Sequence, residues 1–356
     1  MTYISLPVER LLGWYRQHER PLPWRDEPTP YRVWISETML QQTRIEAARG
    51  YFTRFVQELP DISALAAVPD DRLMKLWEGL GYYSRARNLK KAAQIVMQRF
   101  GGDLPADYDA LSSLPGIGPY TAGAVASIAF GLPYPAVDGN VLRVAARLCD
   151  HAGDVLSPAV RRELTEQVRL WLPETAAGMF NQAIMELGET VCLPRTAPRC
   201  DLCPLRESCL GYAHGTAETL PVRCPRTTRR TEKLTVFVCL SDGPQKRVLL
   251  HRRPDTGLLA GLWELPNLPD GDAPTPEDWA AQQGLSVYKT FPLPAGRHLF
   301  THVEWQMTGF ALLCREPVLT KNGVWVTEEH LKSDYALPSA FHTYSRALPA
   351  WLHQND

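Results

Sequence analysis

The stretch LPGIGPYTAGAV, residues 114–125, decides the fold that we predict for this chain. Gly116 and Gly118 flank one isoleucine, and Pro119 suits the first turn of a helix, where its missing N–H costs nothing. Glycine permits positive φ and lets another backbone approach closely. Free N–H groups in such a turn and at the following helix start can bind an anion. We predict a helix-hairpin-helix element that holds a DNA phosphate at Gly116 and Gly118, and an ordinary turn between helices is the alternative.

Length and composition predict two domains of ordinary globular character. The chain has 356 residues, 45% of them hydrophobic and 22% charged, which is more than one core usually serves. We find no signal-peptide pattern and no run of about 18 uncharged apolar residues. We therefore expect no membrane span and a cytoplasmic location, with association to the nucleoid if the cell is bacterial. The net charge of −1 means that any phosphate-binding face has to be local.

The pattern of apolar residues changes near residue 220. Residues 1–217 have helical periodicity with Gly and Pro between the segments, which predicts an all-helical domain. Residues 218–233 are rich in basic residues and have no apolar period, so we interpret them as a linker. Residues 234–356 predict a smaller mixed α/β domain, with helices at 275–284 and from about Ala340. The strand candidates are LTVFVCLS (234–241), RVLLHRRP (247–254), EWQMTGFALLC (304–314) and GVWVTEE (323–329).

Two carboxylates are candidates for chemistry beside the hairpin. Asp138 immediately precedes a helix in AVDGNVLRVAARL (136–148), where Asp is commonly an N-cap and nothing more. If Asp138 faces a cleft with the hairpin, its charge could stabilise a cationic sugar at C1′ of a nucleotide. Glu37 is expected in the first turn of another helix, where it could simply complement the helix dipole. The apolar neighbours of Glu37 indicate that it is enclosed, and an enclosed carboxyl group tends to stay protonated and can act as a general acid.

Four of the eight cysteines lie within 18 residues and predict a metal or cluster site. Cys192, Cys200, Cys203 and Cys209 have the spacing C-x7-C-x2-C-x5-C. Four thiolates in a short loop suit a [4Fe-4S] cluster. A zinc site is the alternative, although four-cysteine zinc sites usually have two close pairs and this loop has one.

Together these residues resemble the endonuclease III superfamily of DNA glycosylases and, within it, the adenine DNA glycosylases of the MutY family. The resemblance covers nearly the whole chain. Its carriers are LPWR (22–25), VWISETMLQQT (33–43), WEGLGYYSRARNL (77–89), LPGIGPYTAGAV (114–125), AVDGNVLRV (136–144), the four cysteines and HLFTH (298–302). In lyase members of the superfamily, a catalytic lysine stands where this chain has Tyr120, which cannot form a Schiff base. The resemblance therefore implies a monofunctional enzyme of base excision repair that removes adenine paired with 8-oxoguanine or guanine and leaves the strand intact.

The same resemblance implies roles for individual residues. Glu37 would protonate adenine N7 and help to activate water, and Asp138 would stabilise the oxocarbenium ion with support from Tyr120 and Asn140. The residues that would contact the substrate are Arg20, Trp24, Arg25, Leu40 and Gln182 around the adenine, Gln42 and Thr43 near the opposite base, and Tyr82 as a wedge in the base stack. The implied cofactor is a [4Fe-4S] cluster, and the implied partner is double-stranded DNA bound by a monomer.

The second domain resembles the Nudix-like recognition domain of these enzymes. GLLAGLWELP (257–266) is similar to the start of a Nudix box, but the acidic metal-binding run does not follow it, so we predict no nucleotide hydrolase activity. Phe300, Thr301 and His302 match a Phe-Ser-His loop that inspects 8-oxoguanine, with Thr in the place of Ser. The first gap between the cysteines has seven residues where the family usually has six, which predicts a bulge in that loop.

Two other functions remain open. One is a pyrimidine-specific glycosylase and lyase of the same superfamily, against which the missing lysine at position 120 and the long C-terminal domain argue. The other is a non-catalytic DNA-binding protein that uses the hairpin only to hold DNA. The presence of both candidate carboxylates argues against it.

Overall fold

The computed structural model describes residues 4–194, 196–224, 229–243, 245–270, 274–315 and 323–353. By contacts the chain divides into two compact units, Met1–Val68 with Arg87–Pro225, and Pro69–Ala86 with Arg226–Asp356. The chain therefore enters the second unit twice, whereas the sequence predicts two continuous domains. Residues 225–228 of the predicted linker lie outside the described residues.

The regular structure described in the first unit is helical, as predicted. The second unit also contains helices. In chain order the helices are α1 (Val8–His18), α2 (Pro23–Asp26), α3 (Pro30–Leu40), α4 (Ile45–Glu58), α5 (Ile62–Ala67), α6 (Asp70–Leu76), α7 (Ser84–Arg99), α8 (Tyr108–Ser112), α9 (Pro119–Ala124), α10 (Gly139–Leu148), α11 (Pro158–Trp171), α12 (Ala177–Thr190), α13 (Leu210–Ala213), α14 (Pro276–Gln282), α15 (Glu328–Ser333), α16 (His342–Ser345) and α17 (Leu348–His353). A core of the first unit forms where α1, α10, α11 and α12 pack, around Leu12, Val144, Val168 and Ile184.

The predicted helix-hairpin-helix is present between α8 and α9. Gly116 has φ of +79°, which favours glycine, and Gly118 is the extended N-cap of a helix that starts at Pro119. The small residues after Tyr120 also have a packing cause. A side chain at Gly123 would place its Cβ 2.2 Å from the carbonyl oxygen of Pro135, so only glycine permits this approach. The helix then widens into a π-turn at Val125–Ala129.

Helix α3 corrects the predicted position of Glu37. The helix begins at Pro30 because the Thr29 side chain accepts a hydrogen bond from the N–H of Arg32 and Pro30 occupies the first turn. Glu37 is therefore near the C-terminal end of α3 and not in its first turn. A dipole-complementing role for Glu37 is excluded, since acidic side chains are favourable at the N-terminus of a helix.

One seven-stranded sheet is present in the described residues of the second unit. The strands are β1 (Arg230–Ser241), β2 (Val248–Arg252), β3 (Trp263–Glu264), β4 (Asn267–Pro269), β5 (Ser286–Leu299), β6 (Val303–Arg315) and β7 (Gly323–Val326). Their order is β3-β2-β1-β6-β5, with β4 also paired to β1 and β7 to β2. Strands β1 and β6 are parallel, and the other pairs are antiparallel.

From Leu234 to Ser241 both faces of strand β1 are buried, which explains the continuous apolar run there. Val236 and Val238 point into the core that contains Trp305. Phe237 points to the opposite face, where its ring stacks on Trp279 of α14 at a centroid distance of 4.1 Å. The strand begins at Arg230, inside the predicted linker. Strand β5, which has two prolines and two irregularities in its pairing with β6, was not predicted from the sequence.

The segment Pro69–Ala86 is attached to the second unit by polar contacts to its backbone. Lys75 donates a hydrogen bond to the carbonyl of Leu331 at 2.8 Å, and Glu78 accepts one from the N–H of Leu337 at 2.7 Å. This unit therefore holds a helix from the first third of the chain. Among the described residues, none of the helices is both long enough and apolar enough to span a bilayer.

Candidate functional site

Glu37 and Tyr120 form a buried hydrogen-bonded pair. Helix α3 carries Glu37 and the first turn of α9 carries Tyr120, whose hydroxyl donates to Oε2 of Glu37. The Glu37 side chain is enclosed as predicted, since the residue is only 7% exposed. The pKa of Glu37 is raised to about 7, chiefly by burial and also by the nearby Asp138 charge, against the lowering effects of the Tyr120 hydrogen bond and of Arg25. Near neutral pH the carboxyl group is thus able both to donate and to accept a proton.

Asp138 is the N-cap of α10 and is held by three N–H donors. Its Oδ1 accepts the backbone N–H groups of Asn140 and Val141 at 2.9 and 2.8 Å, and its Oδ2 accepts Nδ2 of Asn140 at 3.0 Å. Burial raises the pKa of Asp138 above its ordinary value, although the two backbone hydrogen bonds lower it. These donors favour the charged form of Asp138, whereas the donor to Glu37 in the described part of the chain is the Tyr120 hydroxyl, so the two carboxyl groups differ in environment.

Asn140 connects Asp138 to two further elements. Its Nδ2 also donates to Glu189 at 2.7 Å, and its Oδ1 accepts from Arg143 at 3.0 Å. Arg143 in turn donates to the backbone carbonyl of Cys192 at 2.8 Å. A continuous chain of hydrogen bonds therefore links Asp138 to the first residue of the cysteine loop.

Two of the residues predicted to surround the adenine contact a buried carboxylate that was not predicted from the sequence. Glu186 of α12 is buried and forms ion pairs with both Arg20 and Arg25, the second at 2.7 Å. Gln182, one turn earlier on α12, accepts a hydrogen bond from the Tyr15 hydroxyl at 3.3 Å. The structure therefore brings Arg20, Arg25 and Gln182 to the same side of α12, with Arg25 close enough to lower the pKa of Glu37.

Trp24 and Leu40 have different surroundings. Trp24 is buried, and its ring meets Phe52 edge to face at a centroid distance of 5.4 Å. Leu40 is half-buried at the end of α3. Trp24 thus packs in the interior against Phe52, and its contact with adenine stays a prediction.

The residues predicted to approach the opposite base are divided between the units. Gln42 and Thr43 follow α3 in the first unit, and Gln42 is exposed with a φ of +60°. Tyr82, with a φ of +46°, belongs to the second unit and is 48% exposed, whereas the neighbouring Tyr83 is buried. Exposure is what a side chain inserted between bases requires, so Tyr82 and not Tyr83 is the candidate wedge.

Phe300, Thr301 and His302 form the tight connection between β5 and β6. The Phe300 ring packs against Trp305 at a centroid distance of 4.9 Å, and Thr301 and His302 are exposed at the tip. The Thr301 hydroxyl lies 3.1 Å from the Tyr82 hydroxyl, within the same unit. The anchored aromatic ring therefore presents two polar side chains beside the candidate wedge.

The four cysteines of the predicted cluster loop line one pocket. Cys192, Cys200, Cys203 and Cys209 surround it with Arg147, which donates to Sγ of Cys192 at 3.2 Å. Burial raises the pKa of Cys203 to about 12, so a thiolate there needs a cationic partner. In the ranges that the structure describes, no three His, Cys, Asp or Glu side chains are arranged to hold a single metal ion. Four cysteines that line one pocket beside a guanidinium have the donor chemistry that an iron–sulfur cluster requires.

One face of helix α12 supplies most of the residues that sequence reasoning missed. Gln182 was identified, but Met185, Glu186 and Glu189 follow it at helical spacing, and each contacts a residue of the site. Their spacing from Gln182 could have indicated these residues, because residues three, four and seven positions apart share a helix face. No pattern in the sequence, however, indicates which neighbouring helix that face meets.

Comparison with known proteins identifies relatives of both units. A family model described as an HhH-GPD superfamily base excision DNA repair protein matches residues 35–170, and a NUDIX domain model matches residues 235–347. The adenine DNA glycosylase of Mus musculus is 36% identical over 85% of this chain and 70% of the mouse protein. That of Homo sapiens is 34% identical over 95% of this chain and 74% of the human protein. That of Schizosaccharomyces pombe is 30% identical over 93% of this chain and 88% of the yeast protein.

Solved structures agree with the helical fold of the first unit. A thermostable thymine-DNA glycosylase superposes with a TM-score of 0.52 at 27% identity, covering 58% of this chain and 95% of the other. An endonuclease III in a non-covalent complex with DNA superposes with a TM-score of 0.50 at 24% identity, covering 58% of this chain and 94% of the other. The second of these shows a likeness of fold alone.

Proposed function

Because this chain belongs to the adenine DNA glycosylase family, we propose that it excises adenine paired with 8-oxoguanine or guanine in double-stranded DNA. Enzymes of this family hydrolyse N-glycosidic bonds in base excision repair, and this chain is one of them. The observation that carries the mechanistic proposal is the buried hydrogen bond from Tyr120 to Glu37. A phenol at that position offers no amine to form a Schiff base, so the enzyme is monofunctional.

In this mechanism Glu37 is the general acid and Asp138 stabilises charge. The protonated Glu37 carboxyl transfers its proton to adenine as the bond between C1′ and the base nitrogen breaks. The Asp138 carboxylate, held by Asn140 and the start of α10, faces the positive charge that develops on the sugar. A water molecule then adds to C1′, and its proton returns to Glu37. Tyr120 stays neutral throughout, because burial raises its pKa well above the ordinary value.

Binding and extrusion of the base use the remaining site residues. The glycines of the hairpin and the N–H groups at the start of α9 bind a phosphate without reading sequence. Arg20, Arg25 and Gln182 receive the extruded adenine, and Glu186 fixes both guanidinium groups. Extrusion costs a few kcal/mol, and less at a mispair than at a paired base. In this proposal the enzyme acts as a monomer on double-stranded DNA in the cytoplasm, and it is associated with the nucleoid if the cell is bacterial.

One assay separates this function from its alternatives. The full chain is incubated with a duplex containing adenine opposite 8-oxoguanine, and half of the sample is then heated in alkali. Release of adenine with strand breaks only after alkali supports the proposal. Breaks without alkali support a glycosylase with lyase activity, and no loss of base supports a non-catalytic DNA-binding protein. A duplex with adenine opposite thymine is the matched substrate control.

We propose that a [4Fe-4S] cluster is bound by Cys192, Cys200, Cys203 and Cys209 and stabilises the loop that contains them. The purified protein should be brown, absorb broadly near ~400 nm and contain about four irons per chain. Cys203→Ser should lose the colour and lower the melting temperature of the first unit. Cys224→Ser, a change at an exposed cysteine outside the loop, should change neither. Colourless wild-type protein with one zinc per chain would overturn the assignment.

Discrimination between 8-oxoguanine and guanine is proposed for Thr301 and His302. The double change of both residues to Ala should reduce the preference for adenine opposite 8-oxoguanine over adenine opposite guanine. A lost hydrogen bond to a base edge is worth roughly 1–3 kcal/mol of discrimination. The measurement is the ratio of single-turnover rates, with dissociation constants, on the two duplexes.

The control removes a hydroxyl from the strand that follows this loop. Thr308→Ala lies on β6 and is exposed, so it should leave the ratio unchanged. If the loop only stabilises the second unit, the double variant will lose activity on both duplexes equally. An unchanged ratio excludes the recognition role.

A further inference from the structure

Glu189 is a third carboxylate at this site, and the mechanism above does not use it. One amide nitrogen, Nδ2 of Asn140, donates to Oδ2 of Asp138 at 3.0 Å and to Oε1 of Glu189 at 2.7 Å. The amide oxygen accepts from Arg143, so each polar atom of the Asn140 side chain has a partner and its orientation is fixed. Two carboxylates therefore lie within hydrogen-bond distance of the same nitrogen.

The close approach of α12 to α10 puts Glu189 in this position. A side chain at Gly188 would place its Cβ 2.9 Å from Cβ of Asn140 and 3.5 Å from a guanidinium nitrogen of Arg143. Glycine at this position removes that obstacle, and the backbone carbonyl of Gly188 accepts a hydrogen bond from Arg143 at 2.8 Å. The residue that follows Gly188 on the helix is then held against the Asn140 amide.

We infer that Glu189 is a positioning residue that sets a second negative charge beside Asp138, through the Asn140 amide that the two carboxylates share. This inference rests on the proposed function, in which Asp138 faces the sugar. A second negative charge next to Asp138 favours the cationic sugar of the transition state over the neutral substrate. The same charge makes the ionisation of Asp138 harder.

The charges around Asp138 come from several elements. Burial is the main cause of its raised pKa, and the Glu189 charge adds to it while Arg143 opposes it. The titratable and charged groups that face Asp138 are Glu37 on α3, Tyr120 on α9, Arg143 on α10, Glu189 on α12 and Arg223 near Gly139. Of the two other carboxyl groups in this set, Glu37 is the enclosed one and Glu189 is the exposed one. Glu189 therefore supplies a charge that responds to ionic strength, because exposed charges are screened by salt.

The test compares Glu189→Gln, Glu189→Ala and wild type in single-turnover excision across pH. Glu189→Gln keeps a side-chain oxygen that can accept from Asn140 and removes only the charge. We expect it to lower the rate at the pH optimum roughly threefold to tenfold at low salt, with a smaller difference at high salt. We expect the acid-side inflection to move to lower pH, because Asp138 ionises more easily without its neighbour. Glu189→Ala should have the same rate and the same inflection as Glu189→Gln, because the charge is what both variants remove.

Glu174→Gln is the matched control, since it makes the same charge change at an exposed site ahead of α12. Glu174 precedes the first residue of α12, whereas Glu189 is near its C-terminal end, so the rise of the helix separates them by about 18 Å. A rate and an inflection that are the same in Glu189→Gln and wild type overturn the inference, as does an equal effect of Glu174→Gln.

A second measurement does not depend on catalysis. The pKa of Asp138 can be read from its carboxyl carbon by NMR, with the resonance assigned by its loss in Asp138→Asn. We expect the pKa to be lower in Glu189→Gln than in wild type, and equal values overturn the inference. If wild type excises no adenine, the proposed function fails, and this titration still decides the role of Glu189.

Discussion

Glu37→Gln should abolish adenine excision and leave binding to the mispair close to wild type. The substitution keeps the size of the side chain and an acceptor for the Tyr120 hydroxyl, but it removes the proton that the leaving base needs. General acid catalysis contributes about 100-fold to 10,000-fold, so a loss of that size is expected in the single-turnover rate. Glu9→Gln, an exposed change of equal charge on α1, should leave the rate unchanged.

The pH dependence of excision should report the same carboxyl group. Because the pKa of Glu37 is raised to about 7, its acid form is abundant below that pH and is lost above it. The rate should therefore fall as the pH rises above about 7, by up to tenfold per pH unit. The residual rate of Glu37→Gln should show no such fall. A wild-type rate that stays constant from pH 7 to pH 9 would contradict the role of Glu37 as the acid.

Asp138→Asn should produce the second large loss. Removal of a charge aimed at a developing ion costs about 100-fold to 1,000-fold in comparable sites. Asparagine is as good an N-cap as aspartate, so α10 should keep its start and the melting temperature should change little. The measurements are the single-turnover rate, the dissociation constant for the mispair and thermal unfolding.

The control for Asp138→Asn is the same change at another helix cap. Asp107 caps α8 through the N–H of Ala110 at 2.7 Å and is exposed. Asp107→Asn should leave excision intact. If both variants lose the same activity, the loss comes from helix capping, and Asp138 has no special role. A near wild-type rate in Asp138→Asn would also show that the residue is misassigned.

The parts of the site that are set by neighbouring residues could be predicted from the sequence. The hairpin at Gly116, the helix start at Pro119 and the cap at Asp138 each depend on a few consecutive residues, and all three are present. The enclosure of Glu37 follows from its apolar neighbours. Its predicted position in the first turn of a helix was wrong, because the helix start formed by Thr29 and Pro30, eight and seven residues earlier, was overlooked.

The parts that depend on tertiary packing could not be predicted. Nothing in the sequence distinguishes Glu186 and Glu189 from other helix residues. Their roles come from the packing of α12 against Arg25 and against the start of α10. Strand β5 was missed because Pro292, Pro294 and Gly296 are residues that strands usually avoid, and an edge strand with irregular pairing tolerates them. The assignment of residues 69–86 to the second unit depends on partners more than 150 residues away.

That assignment has a consequence for the order in which the protein folds during synthesis. Lys75 and Glu78 leave the ribosome early, but their partners Leu331 and Leu337 are made 256 and 259 residues later. Domains generally fold as they emerge, and contacts between distant residues form slowly. Helix α6 therefore cannot form these contacts until almost the whole chain has been synthesised. A nascent chain that is stalled before residue 331 should remain cleavable by protease around residues 69–86, and release of the full-length chain should protect that segment.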